Sequence, residues 1–143
     1  MAVPARLGIV TLGVEDLSRS IAFYEALGWE RCASSVDGVI AWFRTADTYL
    51  GLFPYADLAA DAQVHAPARG SFDGVTMAMT VESEDLVQEA LQSAEQAGAS
   101  ILRPLSPTVF GATSYFADPD GYVWEIAYNP AFPLGPDGRL SIP

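Results

Sequence analysis

The sequence predicts an α+β domain of two tandem βαβββ modules, with eight strands in a curved, cup-like mixed sheet and the helices on its outer face. Three observations predict this. Strand and helix patterns recur in the same order in both halves, and each helix ends on a glycine, Gly28 or Gly98. Residues 114–130, SYFADPDGYVWEIAYNP, read as strand, tight turn and strand. Half of the 143 residues are hydrophobic and few are charged, which suits one globular domain burying about 70% of its unfolded surface. The expected boundaries are 7–53 for module one, 54–74 for a connecting loop, 75–128 for module two and 129–143 for a proline-rich tail.

Residues 7–14, LGIVTLGV, form the first strand, with Val10, Leu12 and Val14 on one face and Ile9, Thr11 and Gly13 on the other. Asp16 or Ser18 caps a helix running to about Leu27. Its buried face is Leu17, Ile21, Tyr24 and Leu27, and Gly28 stops it. Strands follow at 29–34, 39–44 and 48–53, with turns at Asp37-Gly38 and Ala46-Asp47. Residues 54–74 are rich in alanine, proline and glycine without a sustained period, and read as a long functional connection with one helical turn around Leu58. The pattern then restarts with a strand at 75–81 and a helix at 83–97 that turns Leu86, Ala90, Leu91 and Ala94 inward. Strands at 100–103 and 107–110, one ending at Phe116 and one at 122–128 complete the second half. The tail lies extended.

Charge narrows the partners. A net charge of −11 disfavours nucleic acid and anionic membranes, which need Lys/Arg patches. No apolar run reaches the ~20 residues that span a bilayer, and the N-terminus does not read as a signal peptide. Cys32 is the only cysteine, so no intrachain disulfide forms and a reducing cytoplasm is the expected compartment. It reads as a small buried hydrophobe, and His65, the only histidine, as an exposed loop residue.

Chemistry concentrates on the last strand. Tyr122, Trp124, Ile126 and Tyr128 make a bulky face, while Val123, Glu125 and Ala127 make a small one with a single carboxylate. A carboxylate there must be solvated, paired, metal-bound or protonated. Trp42, Phe53, Tyr55, Phe72, Phe110 and Tyr115 lie on strands and connections that rim the cup and suit stacking against a planar or apolar molecule. Trp124 and Tyr24 belong to the helix-packed core.

The motifs LGVEDLSRSIAFYEALGWE at 12–30 and YFADPDGYVWEIAYNP at 115–130 resemble the vicinal oxygen chelate superfamily of glyoxalases, bleomycin-resistance proteins and extradiol dioxygenases. The resemblance implies paired βαβββ modules and, in the enzymes, a divalent metal held by His, Gln or Glu on the first and last strands of each module. Carried over position by position, those ligands fall on Ile9, Gly51, Thr76 and Glu125, of which only Glu125 is retained. The family metal is therefore expected to be absent, with no other cofactor in its place. One reading is a metal-free homodimer of the bleomycin-resistance type. Such a protein sequesters a small hydrophobic or aromatic molecule among Ile9, Trp42, Phe53, Tyr55, Thr76, Phe110, Tyr115 and Glu125. The other is a lyase, isomerase or cyclase of the same superfamily, acting through Glu125 or a metal bound elsewhere.

Overall fold

In a computed structural model that describes residues 2–143, the chain forms two compact units, the first extending to Pro67 and the second running from Ala68 to Pro143. The division falls inside the 54–74 connection.

The first unit comprises β1 (Ile9–Val14), α1 (Leu17–Ala26), β2 (Ala41–Arg44), β3 (Tyr49–Pro54) and α2 (Tyr55–Ala62). Its sheet has the order β1-β3-β2, with β1 parallel and β2 antiparallel to β3. Asp16 caps α1 by accepting the Arg19 N–H at 3.0 Å. At the other end Gly28, at φ +90°, lets its own N–H reach the Glu25 carbonyl and the Trp29 N–H reach that of Tyr24. These are the two bonds of a Schellman stop. The buried face of α1 is Leu17, Ser20, Phe23 and Tyr24, whereas Ile21 and Leu27 are only half-buried. Tyr24 lies 5.9 Å from Phe43, ring centre to ring centre, over a sheet face where Leu12, Val14, Ala41, Leu50 and Leu52 are also buried. Each large side chain buried here stabilises by about 1.5–3 kcal/mol.

One expectation fails in this unit and another is exceeded. The strand at 29–34 is a single bridge between Arg31 and Phe43. The Cys32 N–H does reach the Trp42 carbonyl, at 2.7 Å, but the Cys32 carbonyl is taken by a turn closed from Ser35 at 3.0 Å, which ends the ladder. The helical turn expected around Leu58 is present and longer than expected, as the two-turn helix α2. An eight-residue helix is not stable by itself, so packing makes it. Gly13 leaves room: a Cβ there would lie 2.8 Å from Tyr55 and 3.3 Å from Leu58. The turns at Gly38 and at 46–47 form where expected, and His65 is exposed. Cys32 is half-buried rather than buried.

The second unit comprises β4 (Thr76–Thr80), α3 (Glu84–Ala97), β5 (Ser100–Pro107), β6 (Ala112–Ala117) and β7 (Val123–Tyr128). The sheet order is β4-β7-β6-β5, with only the β4–β7 pair parallel. Ser83 caps α3 by accepting the Leu86 N–H at 3.2 Å. The helix buries Leu91 and Ala94 as expected, but Val87 is buried in place of Leu86, which is 36% exposed, and Ala90 is half-buried. Under it Phe116 and Trp124 stack with ring centres 6.4 Å apart and planes 9° apart. The strands expected at 100–103 and 107–110 are one strand, β5, followed by a turn in which the Thr108 hydroxyl oxygen accepts the N–H groups of Phe110 and Gly111. The tail is not extended throughout: residues 134–140 fold into a small hairpin, with Gly138 at φ +82°.

The turn between β6 and β7 is held twice over. The Asp118 side chain, 4% exposed, accepts the N–H groups of Asp120 at 3.0 Å and Tyr122 at 2.9 Å, and Gly121 takes φ +85°. Arg69 donates to the Asp120 carbonyl at 2.7 Å, pairs with Asp73 and lies 3.9 Å over the Tyr122 ring. In all, the described residues form seven strands in two sheets, not eight in one. No helix among them is long and apolar enough to cross a membrane.

Candidate functional site

Side chains alternate across a strand, so register determines what meets on each face. In the second unit α3 covers the face of Phe116, Trp124 and Ile126, all buried. The opposite face carries three rows. Ala78, Glu125, Tyr115 and Arg103 form the central row across β4, β7, β6 and β5. Thr76, Val123, Ala117 and Ser100 flank it on one side, and Thr80, Ala127, Thr113 and Ser106 on the other.

The central row is chemically connected. The Tyr115 hydroxyl donates to Glu125 Oε2. The Arg103 guanidinium sits 4.9 Å from the Tyr115 ring centre and donates through Nη2 to the Thr113 hydroxyl. Donation to Glu125 holds the Tyr115 phenol above its ordinary value of 10.0, and burial adds to this while Arg103 opposes it. Tyr122 is pushed up as well, chiefly by burial. Both phenols lose their protons in the unfolded chain first, so folding stability should be full below about pH 10 and fall as pH rises through the folded values. Urea midpoints measured between about pH 8 and 11 should show this decline, and Tyr115→Phe should make it shallower. A variant that declines as steeply as the parent would mean that Tyr115 does not donate to Glu125.

Of the expected site residues, Thr76, Tyr115 and Glu125 share this face, although the β4 neighbour of Glu125 is Ala78 rather than Thr76. Phe110 lies beyond the end of β6 in the 108–111 turn, 69% exposed, and is not part of the row. In the first unit Ile9, Trp42 and Phe53 share the face opposite α1, in three different rows: Ile9-Tyr49-Arg44, Thr11-Gly51-Trp42 and Gly13-Phe53. Ile9 is 52% exposed. Tyr55 belongs to α2 and donates to the Pro67 carbonyl at 2.6 Å. Phe72 is exposed.

The residues do not fit the divalent metal that the resemblance implies. Ile9 and Gly51 have no side-chain donor, and a Cβ at Gly51 would lie 2.8 Å from the Thr11 hydroxyl oxygen, so no larger ligand fits while Thr11 stays. Glu125 already accepts from Tyr115. Among the described residues no three His, Cys, Asp or Glu side chains come together as a metal-holding group. Hard cations need several oxygen ligands and transition metals an imidazole-rich or thiolate-rich set.

Two residues of this face, Arg103 in the central row and Thr113 in the row beside it, are absent from the sequence-based expectation. Arg103 is followed by a proline on an edge strand, and only the pairing of β5 with β6 places it beside Tyr115.

The chain matches the model of the glyoxalase/bleomycin resistance protein/dioxygenase superfamily over residues 6–126. A solved glyoxalase-related enzyme from Fulvimarina pelagi is 32% identical, with a TM-score of 0.86, over 97% of this chain and 99% of that one. A glyoxalase/bleomycin resistance protein/dioxygenase family enzyme from Burkholderia phytofirmans PsJN is 19% identical, with a TM-score of 0.78 over 87% and 99%. A lactoylglutathione lyase from Agrobacterium tumefaciens is 22% identical, with a TM-score of 0.67 over 87% and 94%. The last two likenesses concern the fold alone. No curated protein matches the chain. The match of the family model to most of the chain, on the sheet and helix order described above, places this protein in the glyoxalase/bleomycin resistance protein/dioxygenase superfamily.

Proposed function

We propose that this protein binds a small hydrophobic or aromatic molecule without a metal, on the open face of its second sheet, in the manner of a sequestering or resistance protein. The observation that carries the reading is the Tyr115–Glu125 hydrogen bond. It ties one oxygen of the Glu125 carboxylate to a phenol, and it fixes the Tyr115 ring as a platform beside small residues such as Ala78 and Ala127. A ligand can stack on that ring and offer a hydroxyl or amine to the remaining lone pairs of Glu125.

The same contact favours a second reading, in which Tyr115 and Glu125 pass a proton to or from a bound substrate. Recovery of the bound molecule unchanged after incubation supports binding, and its conversion supports the enzyme.

The test is fluorescence titration, with Trp29, Trp42 and Trp124 as reporters, against a panel of aromatic small molecules with and without chelator. Saturable binding that chelator leaves unaltered is expected, weakened about tenfold by Glu125→Gln, or about 1.4 kcal/mol. Binding that chelator abolishes would sink the proposal.

A further inference from the structure

From the setting of Arg103 we infer that the second sheet's open face is a site for an oxyanion. The ligand carries a carboxylate or phosphoryl group seated on the Arg103 guanidinium, with its organic body over Tyr115. This rests on the binding reading above and names the chemistry of the ligand.

The chain has eighteen acidic residues and seven basic ones, all seven arginine. Three of them lie beside carboxylates, while Arg44 has the Tyr49 hydroxyl and ring. Arg31 has Glu25 at 4.0 Å and Asp37 at 3.8 Å, Arg69 has Asp73, and Arg139 has Asp137 at 3.4 Å. Arg103 has none of these among the described residues. Its partners are a neutral hydroxyl, Thr113, and the face of Tyr115. A guanidinium has five N–H donors in a rigid plane, and one direction is fixed here. The rest of the fork remains available, and its orientation is already set by the ring beneath and by Thr113. That is a preorganised bidentate donor for a planar or tetrahedral oxyanion.

The backbone shows the same placement independently. The β5–β6 register slips on both sides of Arg103, between Ile101 and Arg103 and again between Arg103 and Ser106, while the Arg103–Tyr115 pair itself stays in register. Bulges re-aim single side chains and recur beside binding sites. Pro104 follows, which cannot continue a ladder and suits an edge strand. Glu125 lies two strands away in the same row, roughly 9–10 Å at the usual strand spacing. A second anion at that end is repelled, and a hydroxyl or amine is accepted. The ligand is therefore anionic at its Arg103 end and a hydrogen-bond donor or apolar at the other.

Isothermal titration calorimetry of the whole protein with benzoate, phenyl phosphate, benzyl alcohol and benzylamine tests this, since the four share a ring and differ in charge. Benzoate or phenyl phosphate should bind at least tenfold tighter than benzyl alcohol, and the tighter of the two identifies a carboxylate or a phosphate ligand. Arg103→Met should reduce both anions to the level of the alcohol. Arg103→Lys, which keeps the charge but loses the fork, should recover only part of the anion preference. Arg103 is exposed on an edge strand, so both variants should fold, with unaltered melting as the check. Benzylamine as the tightest ligand, or anion binding untouched by Arg103→Met, would overturn the inference. If neutral aromatics bind and anions gain nothing, the oxyanion site fails while metal-independent binding stands. If no compound of either panel binds, both fail.

Discussion

Replacing Gly111 with alanine is expected to lower the unfolding free energy by about 3 kcal/mol, the upper range for forced overpacking. A Cβ at this position would lie 1.9 Å from the Tyr128 carbonyl oxygen and 2.9 Å from its carbon, and both are backbone atoms. No rotamer change relieves such a contact, so one of the two chain segments has to move. The position is costly to disturb because it is where β6 begins beside the end of β7: Ala112 pairs with Tyr128 in the very next residue. The Gly111 carbonyl also accepts the Thr108 N–H at 2.9 Å, so the turn at 108–111 is tied to the same atoms. Close approach of two backbones is a use of glycine that has nothing to do with positive φ. Gly70→Ala is the control, since nothing lies within 4 Å of its Cβ, and it should change stability by no more than about 0.5 kcal/mol. Urea unfolding of both variants decides the matter: equal midpoints would show that the backbones are not in contact at Gly111. The loss should spread to binding, because Tyr115 and Glu125 lie on the same two strands.

How far the sequence could be read depended on whether a feature was local. Helix α1 was legible at both ends because Asp16 and Gly28 act on residues next to them. The turn at 118–121 was legible for the same reason: aspartate, proline and glycine each dictate a torsion or a bond within a few residues. The inward face of α3 was read differently because Leu86 and Val87 are adjacent and equally apolar. The structure selects Val87, four before Leu91 and seven before Ala94, leaving Leu86 in the first turn beside the Ser83 cap. Helix α2 had no cap or period to announce it, and its support is a missing side chain at Gly13, more than forty residues away. The site divides along the same line. Strand parity put Trp124 in the core and Glu125 on the open face. The partners of Glu125 depend on pairing between strands, and the two register slips around Arg103 cannot be seen in the letters.

Phe116→Ala and Tyr115→Phe, at neighbouring positions, are expected to have opposite consequences. Phe116 is 0% exposed and stacks on Trp124 beneath α3. Truncating it should cost about 3–5 kcal/mol, from lost burial and the cavity left behind. The protein that remains folded should bind its aromatic ligand with unaltered affinity, since nothing on the open face has changed. Tyr115→Phe keeps the ring on which a ligand would stack and removes only the hydroxyl that donates to Glu125. A single hydrogen bond on a partly open face contributes about 1–1.5 kcal/mol net, so the stability loss should be small. Glu125 then loses its orientation, and a ligand recognised by the pair should bind about tenfold more weakly. Chemical denaturation and titration of the same two preparations separate these outcomes. If Tyr115→Phe destabilises as much as Phe116→Ala, or leaves affinity untouched, the Tyr115–Glu125 pair is a structural tie and not a binding element. The contrast follows from the strand itself, in which consecutive side chains serve different layers: one face is closed by α3 and supplies the stability, and the other has small and polar residues that leave room for a ligand.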